Sequence, residues 1–337
     1  MVEIEMNKLT VSIIIPVYNA EKSVSISLDS ILNQSYPHIE VVVVNDCSTD
    51  NSQVVLEEYS TRFHAKGYSY VVLTHEYNQG VASARNTGLE HVSGQYVYFV
   101  DADDYIVEDC ISTFIASMEG ESIDIVGCNW WLKMKKDARE MKQPQVCDPI
   151  GAIEMMAKGV MRWNLWLFMV NRQLYEQNAI RFLDGINMGE DMLVMFKLFS
   201  HASSVKMIDR AMYFYDKSNE NSLTNIYSDK HKKEVSLNLE ALDSYFSQSR
   251  GYLEEKWREW VNYLKLNIKL PLLISDKREN YEEWGQWYSE ANSFILKNNR
   301  VSKKIKLLQY MAYHRQYWFL RLYHFLVQRV MYGIIYR

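Results

Sequence analysis

No stretch of this 337-residue chain reaches about 18 consecutive uncharged apolar residues, so no membrane-spanning helix is expected. Met1 to Thr10 carries acidic groups and lacks the basic-then-apolar order of a secretory leader. The four cysteines, Cys47, Cys110, Cys128 and Cys147, show no C-x-x-C spacing, which argues against a zinc site or a thioredoxin-like motif. Three of them lie in or near α/β elements and read as free thiols in a reducing cytosol. Glycine-rich phosphate loops are also missing. A dinucleotide fold wants G-x-G-x-x-G after its first strand, where this chain has Pro16-Val17-Tyr18-Asn19, and no P-loop pattern appears. There are no internal repeats and no low-complexity segments. Residues 301–337 hold no Asp or Glu, against seven Lys or Arg. The first 300 residues hold 30 basic and 42 acidic groups, so a basic tail joins an acidic body, and the acidic body argues against nucleic-acid binding.

The first 130 residues alternate strand and helix signals. Val11–Ile15, Glu40–Val44, Tyr70–Leu73 and Tyr96–Val100 are continuous apolar runs. Helical patterns follow over about 20–34, 52–65 and 81–90. Such alternation predicts an α/β fold with a mostly parallel, Rossmann-like sheet covered by helices on both faces. A fifth strand is expected at 123–127, and a loop or ribbon at 130–150. Helices are expected at 171–178 and 190–200, and short strands at 205–208 and 211–215. From about 228 the chain reads as helical. The expected division is therefore a catalytic domain over 1–227 and a helical C-terminal region over 228–337.

Each strand of the first half ends in polar residues, where an open α/β sheet binds ligands. Asp101-Ala102-Asp103-Asp104 follows the run Tyr96–Val100. Carboxylates at the end of a buried strand are costly unless paired or bound to a cation. A hard divalent cation suits them, since it takes oxygen ligands and bridges to substrate phosphates. Without glycine loops, a nucleotide must be gripped by side chains. Tyr18 can offer a ring face. Asp46 can accept a base imino proton and Asp101 a ribose hydroxyl. Arg85 offers a fork of donors. Read without further context, Asp46 is alternatively a cap for the helix near Ser52, and Arg85 a surface residue.

Four stretches in order, Val11–Asn19, Val44–Asp50, Asn78–Asn86 and Val100–Asp104, resemble the family 2 glycosyltransferases. Met188-Gly189-Glu190-Asp191 resembles their acceptor-side motif. The resemblance implies the glycosyltransferase A fold and inversion at the anomeric carbon. It implies a hexosyl- or hexosaminyltransferase using a nucleotide-diphosphate sugar, usually a uridine one. It places Pro16, Tyr18, Asp46 and Arg85, joined by Glu21, around the nucleoside. It places Asp101 on the ribose or metal and Asp103 on Mg²⁺ or Mn²⁺ in a DXD motif, with Asp104 as an ambiguous third carboxylate. An inverting displacement needs a base for the acceptor hydroxyl, and Asp191 is the choice, opening an apolar helical run with Glu190 orienting a neighbour.

Trp163, Trp166, Trp130 and Trp131 read either as sugar-stacking faces or as core. His75 reads as a structural hydrogen-bonder. Lys217, in the segment Tyr215–Thr224, reads either as a diphosphate contact or as a plain surface lysine. The tail over 301–337 interleaves basic and aromatic residues, as an anionic-membrane contact would. Packing on the catalytic domain or a homodimer contact is the alternative. The whole reads as a metal-dependent transferase acting on a glycan or lipid-linked acceptor in surface polysaccharide biosynthesis. The expected place is the cytoplasm, peripheral at the inner face of the cell membrane. The rivals are a nucleotidyltransferase, which would want a basic glycine-rich loop, and a non-catalytic sugar-nucleotide-binding or membrane assembly protein.

Overall fold

The computed structural model describes residues 9–135, 137–217, 228–248 and 251–327. The chain divides into two compact units. One comprises Met1–Ala152, Trp163–Ile226 and Lys230–Leu242, and the other Ile153–Arg162, Tyr227–Asp229 and Asp243–Arg337. Neither unit is a continuous segment, whereas the sequence suggested one break near 228.

Among the described residues the first unit is built on nine strands: β1 (Val11–Val17), β2 (Ile39–Asn45), β3 (Ser69–Thr74), β4 (Tyr96–Phe99), β5 (Tyr105–Ile106), β6 (Ile125–Lys133), β7 (Ala138–Met141), β8 (Phe168–Asn171) and β9 (Val205–Asp216). Their order is β3-β2-β1-β4-β8-β6-β9-β5, with β7 paired to β6. β1 to β4 pair in parallel through the helices Val24–Leu32, Ser52–Lys66 and Val81–His91. Every residue of β1 is buried, as a central parallel strand requires. Beyond β4 the sheet is mixed, although most of its paired residues are parallel, as expected. β8 runs antiparallel to both β4 and β6, β5 antiparallel to β9, and β6 parallel to β9. The connection into β8 carries the helix Pro149–Ala157, although antiparallel partners do not require a helical crossover.

Pro16 lies inside β1 without breaking the sheet. Ile14 accepts from Val100 N–H on the β4 side, and Val17 accepts from Asp46 N–H on the β2 side. Residues of a parallel strand alternate between neighbours, so Pro16 faces β4. The β1–β4 ladder ends at Ile14↔Phe99, and no bond there needs the N–H that proline lacks.

The second unit is helical, as expected of the C-terminal region. Tyr252–Ile268, Arg278–Gln286, Lys303–Tyr313 and Tyr317–Phe325 surround a core that includes Leu273, Tyr281, Trp284 and Leu320. Lys269 is fully buried within it. Its ammonium donates to the carbonyls of Trp284 and Trp287 and to Asn292 Oδ1, near the end of the helix Arg278–Gln286. Burial pulls this amine down to about 7. Among the described residues no helix is long and apolar enough to cross a membrane.

Candidate active site

The loops after β1 and β2 interlock. Asn19 N–H donates to Ser48 Oγ at 3.0 Å, and Thr49 N–H donates back to Asn19 Oδ1 at 2.8 Å. Glu21 takes both the backbone N–H and the side-chain amide of Asn51, each at 3.0 Å. Glu21 is thus a stitch between the two loops. Tyr18 projects from the same place with its side chain half exposed.

Asp46 lies at the end of β2 and is 2% exposed. Its Oδ1 accepts from Gln79 N–H at 2.8 Å and pairs with His75 Nδ1 at 2.7 Å. Its Oδ2 accepts from Gly80 N–H at 2.7 Å. Asp46 therefore serves the N-terminus of the helix Val81–His91, not the helix near Ser52, whose first N–H goes to Asp50 Oδ1. A carboxylate has about four lone-pair sites, and these three contacts leave one on Oδ2. His75 is tied on its other side to Thr87 Oγ1 at 2.9 Å, in keeping with a structural hydrogen-bonder.

Arg85, one turn into that helix, is buried and has partners other than those expected. Its Nη1 donates to Glu190 Oε1 at 2.6 Å and to Asp191 Oδ1 at 3.0 Å. Its Nη2 donates to Asp101 Oδ1 at 3.2 Å. The guanidinium lies 5.9 Å from the ring centre of Phe99 and 5.7 Å from that of Phe182. The fork thus joins the end of β4 to the start of the helix Glu190–His201. The connection is reinforced nearby. Ser83 Oγ and Asn86 Nδ2 donate to Asp184 Oδ1, and Ala82 N–H donates to Asn187 Oδ1. Gly80, at φ +89°, sits where an added Cβ would lie 2.3 Å from the Asn187 amide.

Electrostatics follow from one buried cation among three carboxylates. Burial opposes the Arg85 charge, but Asp191, Asp101 and Glu190 more than offset it and hold the guanidinium above its ordinary range. Burial, with the neighbouring Asp191 charge, pushes the Glu190 carboxyl up to about 8 against the pull of Arg85. Burial also raises Asp191, whose second oxygen accepts from Leu165 N–H at 3.3 Å. A raised carboxyl makes the stronger base once ionised.

Asp101, Asp103 and Asp104 share a tight turn closed by Asp104 N–H to Asp101 C=O at 3.1 Å. Asp104 is buried, and its oxygens accept from Tyr213 O–H and Asp216 N–H, each at 2.8 Å. Burial and the charges of Asp101 and Asp103 push it well above the carboxylate range. The ambiguous third carboxylate is a support for the turn. Asp101 and Asp103 are both partly exposed. Among the described residues no three His, Cys, Asp or Glu side chains form a metal cluster by themselves. Two hard oxygen donors in one turn fit a cation that draws its remaining ligands from substrate phosphates and water.

Trp166 stacks on Tyr213 at 4.4 Å and meets Trp130 edge-on at 6.0 Å, so both indoles belong to the core. Trp131 stacks on Phe214, and Trp163 tilts against Phe196. Lys217 is exposed, and its N–H donates to Lys133 C=O. Asn219–Thr224 lie outside the described residues. Tyr213, which supports both Asp101 N–H and Asp104, is a participant that the sequence did not single out. It sits among the aromatics of β9 and carries no local signal.

The sheet, with carboxylates gathered at the ends of its strands, is that of a glycosyltransferase A enzyme. The chain belongs to glycosyl transferase family 2, whose sequence pattern matches residues 12–194. It is 30% identical over 279 residues to the uncharacterized glycosyltransferase EpsJ of Bacillus subtilis, covering 79% of this chain and 77% of that protein. It is 27% identical over 310 residues to the poly(ribitol-phosphate) beta-N-acetylglucosaminyltransferase TarS of Staphylococcus aureus, covering 84% of this chain and 49% of TarS. The crystal structure of TarS 1–349 with UDP-GlcNAc matches with a TM-score of 0.70 at 20% identity, over 96% of this chain and 92% of that one. A mannosyltransferase of Pyrobaculum calidifontis, in complex with GDP-Man and Mn²⁺, matches at 0.54 and 18% identity, over 94% and 83% of the chains. The structural likenesses establish the fold, and the family decides for a glycosyltransferase over a nucleotidyltransferase or a binding protein.

Proposed function

We propose that this glycosyltransferase moves a hexose or hexosamine from a uridine-diphosphate sugar, with inversion and with a divalent metal. The acceptor is a glycan or lipid-linked hydroxyl in surface polysaccharide biosynthesis. The observation that carries the proposal is the single guanidinium of Arg85 tying Asp191 to Asp101. It brings a base candidate and the donor-side turn into one buried network. The TarS complex with UDP-GlcNAc supports the choice of donor.

In this reading Tyr18 and Pro16 flank the nucleoside, and the open lone pair on Asp46 Oδ2 accepts the base imino proton. Glu21 shapes that pocket by fixing the Asn51 loop. Asp103 and Asp101 would hold Mg²⁺ or Mn²⁺, which would supply charge neutralisation for the departing diphosphate. Asp191 takes the proton of the acceptor hydroxyl, and that oxygen bonds to the anomeric carbon. The bond from that carbon to the diphosphate breaks and leaves its electron pair on the diphosphate. Arg85 holds the Asp191 carboxylate in place, with Leu165 N–H fixing its other oxygen. Catalysis is assigned to 1–227, and the enzyme to the inner membrane face as a peripheral protein.

The test is a panel of nucleotide sugars titrated calorimetrically with Mn²⁺ and with chelator. A uridine sugar should bind, and turnover should vanish in chelator. Preference for a guanosine donor overturns the donor assignment, and full activity in chelator overturns the metal assignment.

A further inference from the structure

The helix Tyr317–Phe325 is turned the wrong way round for a protein surface. Leu320 is fully buried in the core of the second unit. At 100° per residue, Trp318, Leu322 and Phe325 fall on the opposite side, which a surface helix ordinarily keeps polar. Trp318 is 62% exposed, Phe325 51%, and Leu322 and the following Leu326 47% each. Arg321 is exposed beside them. The preceding helix, Lys303–Tyr313, buries Leu308 and Ala312 and exposes Leu307 and Tyr310 next to Lys303.

We infer that Trp318, Leu322, Phe325 and Leu326, flanked by Arg321 and the lysines of the preceding helix, form a docking face for an anionic lipid bilayer. This deepens the peripheral placement proposed above but does not depend on the donor or the base. The charge pattern selects the occupant. Residues 301–337 carry seven basic groups and no acid. A two-fold contact with the same face of a second copy would set those cations against themselves. An anionic headgroup layer attracts them while the indole and leucines enter the acyl boundary. Arginine and lysine can lay their stems along apolar surface and keep their charge among the headgroups.

The test is flotation of the full-length protein with phosphatidylglycerol-containing vesicles, with phosphatidylcholine vesicles as control. The protein should float with the anionic vesicles at about 0.01 M salt and release at about 1 M, where screening shortens from about 30 Å to about 3 Å. Replacing Trp318→Ser and Leu322→Ser together should lower partitioning at least about tenfold, since each buries an apolar side chain on docking. Arg321→Glu, which leaves the apolar face intact, should also lower it. Circular dichroism and nucleotide affinity should stay at wild-type values in both variants, which separates this inference from the catalytic reading. Wild-type protein that fails to float overturns it, as does a Trp318/Leu322 variant that floats undiminished. A wild-type dimer that does not float and that the double variant dissociates would assign the face to a second copy. Flotation gained only after truncation at Val327 would assign it to residues 328–337.

Discussion

Replacing Arg85 by methionine tests the buried network. The change keeps an unbranched side chain between Phe99 and Phe182 but removes the cation that Asp101, Glu190 and Asp191 share. The side chains of Arg85, Glu190 and Asp191 are 5%, 11% and 14% exposed, so water cannot replace the lost partner. Breaking a buried ion pair from one side costs about 3–5 kcal/mol. In a unit of this size each kcal/mol moves the melting temperature by about 2–4 °C, so melting at pH 7.5 should fall by about 6–20 °C. The pH dependence has a definite sign. The folded Glu190 carboxyl lies near 8, above its usual 4.5, so its contribution to stability falls as pH rises through that window. Without Arg85 the Glu190 and Asp191 carboxyls rise further, and the folded variant binds still more protons than its unfolded chain. The gap between wild type and variant should therefore narrow as pH drops from about 8 to about 5. Arg85→Lys keeps the charge but loses the fork, and should fall between the two. Calorimetric melts at both pH values decide. A variant melting within about 2 °C of wild type at pH 7.5, or a gap that widens on acidification, would refute the network's role.

Asp103→Ala should leave the fold intact and reduce turnover on the order of 10³-fold, several kcal/mol of transition-state stabilisation; near-normal steady-state rates would remove it from the metal site. Asp46→Asn sets an amide donor against the N–H of Gly80 or Gln79, so a loss of roughly 1–3 kcal/mol in chemical denaturation, with weakened nucleotide binding, is expected. Unchanged values on both counts would contradict the assignment. Gly80→Ala forces a Cβ to 2.3 Å from Asn187 at φ +89°, which should cost about 1–3 kcal/mol on the same assay, and a neutral result would mean that the 184–190 loop moves freely.

The parallel half of the sheet was legible because its strands are unbroken apolar runs that end in polar residues. β9 was harder. Asp209 and Arg210 interrupt its apolar pattern and suggest two strands, yet the strand runs on through Val205–Asp216, and the irregularity appears instead in its register with β6. β8 was missed because its four residues, Phe168–Asn171, are too few for periodicity to decide. The carboxylates of the site were legible as residue types at strand and helix ends. Their partners were not. Arg85 and Glu190 are 105 positions apart, and nothing local in either motif shows that one guanidinium serves both. The same holds for Tyr213 and Asp104, 109 apart. The tryptophans left two readings open, and packing resolved Trp130 and Trp166 as core.

The central claim is that Asp191 removes the acceptor proton at a site that binds the donor independently of it. Asp191→Asn keeps the bond from Leu165 N–H and the size of the side chain while removing the basic oxygen. Donor affinity, measured by calorimetry with Mn²⁺ present, and transfer of a labelled sugar from that donor should be compared in one preparation. The account predicts a donor Kd close to wild type and transfer reduced at least about 10²-fold. Transfer at the wild-type rate, or loss of donor binding in step with loss of transfer, would contradict it.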